Sequence, residues 1–149
     1  MPPQGKYKSA AVVAATKIPI ETFNRWVDRR IIPLTSDDVP GDGRGKPRRY
    51  GLRTAKKLAI AYRISKLGIA PNIAVALATK FTDERQCDRR VGDLFPIGLT
   101  YILQTEKGCA SVINVKPEDD ISAMLQDAAI IVNVNQILES INLDIGIIK

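Results

Sequence analysis

The first half of the chain carries apolar residues at helical spacing, and the second half carries short β-branched runs. Ser9 stands as an N-cap before Ala10–Thr16, an alanine- and valine-rich segment too short to persist without tertiary packing. Lys17-Ile18-Pro19 breaks it. Pro19 and Glu21 then suit the first turn of a second helix, Ile20–Arg30. Phe23, Trp26 and Val27 fall at i, i+3 and i+4, so they line one face, while Glu21, Asn24, Arg25 and Asp28 fall elsewhere. Pro33 turns the chain extended. The Gly- and Asp-rich stretch 37–46 reads as a hairpin tip, and Arg48-Arg49-Tyr50 as a short return strand. Gly51 opens a helix over Leu52–Leu67, with Leu58, Ala61, Tyr62 and Ile64 apolar and Lys56, Lys57 and Arg63 around them. Gly68 stops it, and Pro71 starts a further helix, Asn72–Thr79.

Residues 81–96 are polar, with acids and bases mixed, and read as a linker or a helix extension. Beyond them the spacing predicts strands Leu99–Thr105 and Cys109–Val115 around a turn at Glu106-Lys107-Gly108. Pro117–Asp120 can start a helix in which Ile121, Met124 and Leu125 share a face. Ala128–Val134 reads as a strand and Asn135–Ile141 as a last helix. The expected class is α+β. One domain is expected over residues 1–80, a linker or helix extension over 81–96, and a small α/β unit over 97–149.

Charge sharpens that division. Residues 1–80 hold 16 Lys/Arg against 5 Asp/Glu, and residues 81–149 hold 6 against 11. A basic half joined to an acidic half points to one part that meets a polyanion and one that does not. The chain has no histidine, which removes the commonest general base and zinc ligand and rules out Ser-His-Asp and Cys-His catalysis. No GxxxxGK[ST] phosphate loop occurs, and Cys87 and Cys109 have no zinc or redox spacing. The expectation is a protein without enzymatic activity, cofactor or metal. No apolar run reaches membrane-spanning length and no signal core follows the N-terminus, so a cytoplasmic location with no membrane partner is expected.

The order helix, tight turn, helix, extended arm, Gly-rich hairpin, basic strand, helix, helix resembles the MerR family and its excisionase-like relatives. Thr22-Phe23-Asn24-Arg25-Trp26 followed by Ile31-Ile32-Pro33 is similar to the family's T-L-R-R-W … G-L-I-P stretch. Pro47-Arg48-Arg49-Tyr50 is similar to Y/H-R-R-Y, and Leu58–Ala70 to L..I..L...G.S/T. The resemblance covers Tyr7–Lys80 and implies a winged helix-turn-helix that holds double-stranded DNA. Arg48 and Arg49 match the family's Arg-Arg pair, which the resemblance implies contacts phosphates.

The residues support that role on their own chemistry. A short helix with an apolar underside fits the major groove, where Arg can grip guanine and Asn adenine. Thr22, Asn24, Arg25 and Arg29 are the candidate contacts on that helix. Arg44, Lys46, Arg48, Arg49 and Tyr50 are the candidates on the hairpin, although Tyr50 also suits packing at its base. The chain departs from the family in three places. Arg30 replaces the usual glycine after helix two, the hairpin carries a longer Asp-Gly insert, and residues 81–95 are too short and polar for the family's dimerising coiled coil.

The uncharged Ala128–Val134 run would be a hazard as a bare edge, so residues 97–149 are expected to form a homodimer. The expected function is a sequence-specific transcriptional regulator, a repressor, acting on an inverted repeat. A phage or mobile-element protein, excisionase-like or a packaging factor, is the alternative. A ligand-sensing regulator stands further off, and RNA binding is disfavoured by the few aromatics available for stacking.

Overall fold

The computed structural model describes residues 6–41, 45–86 and 89–148, with the side chains of 142–148 left aside. It is α+β: among the described residues, five α-helices and two small antiparallel sheets. The smaller sheet pairs β1 (Tyr7–Lys8) with β2 (Arg49–Tyr50), Tyr7 opposite Tyr50 and Lys8 opposite Arg49. Val39 bridges the other side of Arg49, with hydrogen bonds of 2.8 and 2.9 Å.

Helix α1 (Ser9–Thr16) begins one residue earlier than its sequence predicts. Ser9 is its first helical residue, because Lys8, held extended by its pairing to Arg49, takes the N-cap position without a side-chain cap. Lys17 closes α1 at φ 60°, donating its N–H to the Val13 carbonyl. Helix α2 (Ile20–Asp28) ends before Arg30. Arg30 lies at φ 55° and donates to Val27, and Ile31 donates to Trp26, the paired bonds of a Schellman stop. Arg30 is therefore a left-handed position filled by a residue with a Cβ.

Helix α3 (Leu52–Ser65) starts after Gly51, where a Cβ would stand 2.9 Å from Cβ of Asp37. Gly68, at φ +89°, turns the chain into α4 (Pro71–Thr82). This helix runs three residues past its predicted end, because Phe81 and Thr82 are both fully buried. Lys57, expected on the polar flank of α3, is also fully buried and ion-paired to Asp83.

Past α4 the chain is pinned by Arg89. Its guanidinium donates to the carbonyls of Phe81, Glu84, Arg90 and Asp93 at 2.9–3.2 Å and sits over the rings of Phe81 and Phe95.

The larger sheet has the order β4-β3-β5, from β3 (Leu99–Thr105), β4 (Ser111–Val115) and β5 (Ala129–Asn133). Thr100, Ile102, Val112 and Val132 are buried at alternate positions of its strands. The helix expected after Pro117 is only a 3-10 turn, Ser122–Met124. Asp119 and Asp120 spend their carboxylates on the N–H groups of Lys116 and Ser122, local turns that compete with a helix start.

Helix α5 (Val134–Ile148) outruns its predicted end and packs on α1, α3 and β3. Buried residues from both ends of the chain, such as Val12, Leu58, Ile102 and Leu138, belong to one core. No helix among the described residues is long and apolar enough to cross a membrane.

Candidate nucleic-acid interface

Helix α2 divides cleanly by burial. Phe23, Trp26 and Val27 sink into the core, while Asn24, Arg25, Asp28 and Arg29 stay exposed and Thr22 is half-buried. The apolar underside fixes the helix, and its stop at Arg30 turns Arg29 and Arg30 outward with Asn24 and Arg25. The aromatic underside is itself braced, because the Phe23 ring meets Tyr50 edge-on, 5.5 Å between centroids and 78° between planes.

That contact corrects the sequence reading of Tyr50. With 1% of its surface exposed, it is a core residue and presents nothing to a phosphate. Its neighbours remain at the surface. Arg48 is exposed, Arg49 is half-buried between Lys8 and Val39, and Lys46 is exposed. Arg44 lies outside the described residues, as do Asp42 and Gly43.

The hairpin's base lies against the end of α2. Nη1 of Arg48 stands 3.7 Å from Oδ1 of Asp28, and a cleft of about 540 Å3 opens between Asp28, Arg30, Leu34 and Arg48. Gly41 is obligatory here, since a Cβ would come within 2.8 Å of the Lys46 carbonyl. The structure therefore gathers Asn24 and Arg25 on α2 with Arg29 and Arg30 at its C-terminal end, and joins Arg48 to the same surface through Asp28.

One residue absent from the sequence reading sets this geometry. Asp38 is nearly buried at the entrance to the hairpin. Its Oδ2 accepts from Thr35 N–H (2.7 Å), Thr35 Oγ1 (3.2 Å) and Thr54 Oγ1 (2.6 Å), and its Oδ1 accepts from Gly51 N–H (2.8 Å). It thus ties the loop after α2 to the N-terminal turn of α3, where the helix dipole favours an anion. Two of its partners lie 13 and 16 residues away, and only the Thr35 bonds belong to a local spacing.

A second cleft, of about 330 Å3, lies between Asp37, Arg53, Lys56 and Asp93. Lys56 donates to the Gly92 carbonyl at 2.7 Å. Burial lowers its pKa, and the charge of Asp93 offsets part of that shift. Among the described residues no group of three or more acidic or sulfur ligands stands together as a metal site.

Neither comparison with protein-family models nor comparison with curated proteins returns a match for this chain.

Proposed function

We propose that this protein binds double-stranded DNA through a winged helix-turn-helix built from α1, α2 and the hairpin that returns at β2. Helix α2 lies in the major groove, with Asn24 and Arg25 reading base edges and Thr22 and Arg29 steadying the helix on the backbone. Arg44, Lys46, Arg48 and Arg49 follow the hairpin along the phosphates. The protein acts as a sequence-specific regulator of transcription, a repressor, and two copies read an inverted repeat.

The observation that carries this reading is the surface of α2. A nine-residue helix is held by three buried apolar residues and turns Asn24 and Arg25 to solvent, with Arg29 exposed at its end and Arg48 exposed beside it. Core packing has no use for such a row of donors, and a polyanion does.

Selection from a pool of random-sequence duplexes tests the proposal. Enrichment of one motif in two inverted halves is expected. Arg25→Ala should relax base choice within each half, and Arg48→Ala should weaken binding to every sequence and reduce the salt slope by about one phosphate contact. A pool that stays unenriched, with equal losses for both variants on specific and random DNA, overturns the reading.

A further inference from the structure

The three-stranded sheet leaves two edges, and the chain treats them differently. The β4 edge is partly covered, because the Gln86 side chain accepts the Val112 N–H at 3.2 Å. The β5 edge has no such cover. On one side Ala129–Asn133 pairs with β3, Leu103 opposite Ile131 at its centre, and on the other its backbone makes no hydrogen bond among the described residues. The strand has no charge, proline or bulge, the usual devices that keep an edge from pairing.

The surroundings of this edge are also unusual. Leu67 is 78% exposed and Ile131 38% exposed, and they line one shallow apolar groove with Ile64, Val132 and Ile137. Arg63 stands at the groove beside Asn133 and Gln136. At the other end of the strand Asp127 is exposed, and neither Arg63 nor Asp127 has an ion-pair partner among the described residues.

We infer that the β5 edge is the self-association surface of this protein and that its occupant is β5 of a second copy. The two strands pair antiparallel about a two-fold axis at Ile131, joining two three-stranded sheets into one of six. An antiparallel pair centred on residue 131 sets position 129 of each copy opposite position 133 of the other, with Asp127 two residues beyond the pairing. Asp127 then arrives at the end of the strand where Arg63 stands, and the two-fold repeats the ion pair. Leu67 and Ile131 of both copies close over the seam. A foreign strand would satisfy the backbone edge alone, whereas a second copy also satisfies both lone charges and both apolar side chains. This inference supplies the interface for the dimer proposed above but does not depend on DNA.

Sedimentation velocity of the full chain, without DNA, tests it. The wild-type protein is expected to sediment as a dimer of the 16.4 kDa chain at micromolar concentration. Ile131→Lys sets like charges against each other across the axis and should weaken association by about 30-fold or more. Arg63→Glu should weaken it by several-fold, and Asp127→Lys added to Arg63→Glu should restore it. These two residues are at the surface, so that pair reads the interface even if Ile131→Lys folds poorly. A wild-type monomer at 100-fold higher concentration overturns the inference, as does a dimer indifferent to both the Ile131 and the Arg63 changes. A dimer that dissociates as described but enriches no DNA motif sinks the DNA reading and leaves the interface standing.

Discussion

Asp38 offers the sharpest test of how the hairpin is held. Its carboxylate is satisfied by neutral donors, and two of them, the Gly51 N–H and the Thr54 hydroxyl, belong to buried residues. Asp38→Ala removes the acceptor from both. A buried donor left unpaired costs about 1–3 kcal/mol, so the pair costs roughly 2–5 kcal/mol, and the half-buried Thr35 N–H is left to water. Asp38→Asn is the more telling variant. If the amide oxygen takes the Oδ2 place, its NH2 faces the Gly51 N–H. If it takes the Oδ1 place, the NH2 faces the Thr35 N–H. Either orientation sets donor against donor, so the asparagine should lose about 2 kcal/mol or more despite being isosteric.

The neighbour supplies the control. Asp37 is half-exposed and its carboxylate meets Arg53 at 3.0 Å, an arrangement worth about 1 kcal/mol or less. Urea unfolding followed by circular dichroism measures all three. At roughly 2–4 °C per kcal/mol for a chain of this size, the Asn variant should also melt about 4–8 °C lower. An Asp38→Asn protein within 0.5 kcal/mol of wild type, or no more damaged than Asp37→Asn, would refute the reasoning.

Other expectations follow from single residues. Arg30→Gly should stabilise the fold by about 1 kcal/mol, because φ 55° penalises any residue with a Cβ; a lower melting temperature than Arg30→Ala would contradict the Schellman assignment. Arg89→Met should cost about 3 kcal/mol in chemical denaturation, since it orphans the carbonyls that the guanidinium gathers; a loss under 1 kcal/mol means that these carbonyls find water instead. Asp28→Asn should strengthen binding to random duplexes in a salt-dependent way, by freeing Arg48 and removing a negative charge from the proposed DNA face; unchanged anisotropy titrations would place Arg48 away from the phosphates. The lowered pKa of Lys56 means that the unfolded chain holds that proton more tightly than the folded one. Stability relative to Lys56→Met should therefore rise with pH between the lowered value and the ordinary lysine value of 10.5, and a flat difference across alkaline pH would remove Lys56 from the account.

Elements whose signals are local were legible in the residue pattern alone. The i, i+3, i+4 spacing of Phe23, Trp26 and Val27 set the buried face of α2, and with it the exposure of Asn24 and Arg25. Alternation and turn residues located β3, β4 and β5 within two residues of where they lie. The α+β class followed from these, because a period of 3.6 and a period of 2 cannot be satisfied by the same backbone.

The remaining features depend on partners far apart in the chain. Lys57 looks like a surface lysine until Asp83 and the core close over it. Tyr50 looks available for a phosphate until Phe23 and Tyr7 enclose it. Asp38 finds Gly51 and Thr54, and Arg89 gathers four carbonyls, through contacts that no short window of sequence contains. Nor does a hydrophobic pattern say which side of a strand remains unpaired. Burial of side chains is written at every second or fourth residue, whereas the satisfaction of a charge or a backbone edge depends on which distant segment folding brings alongside it.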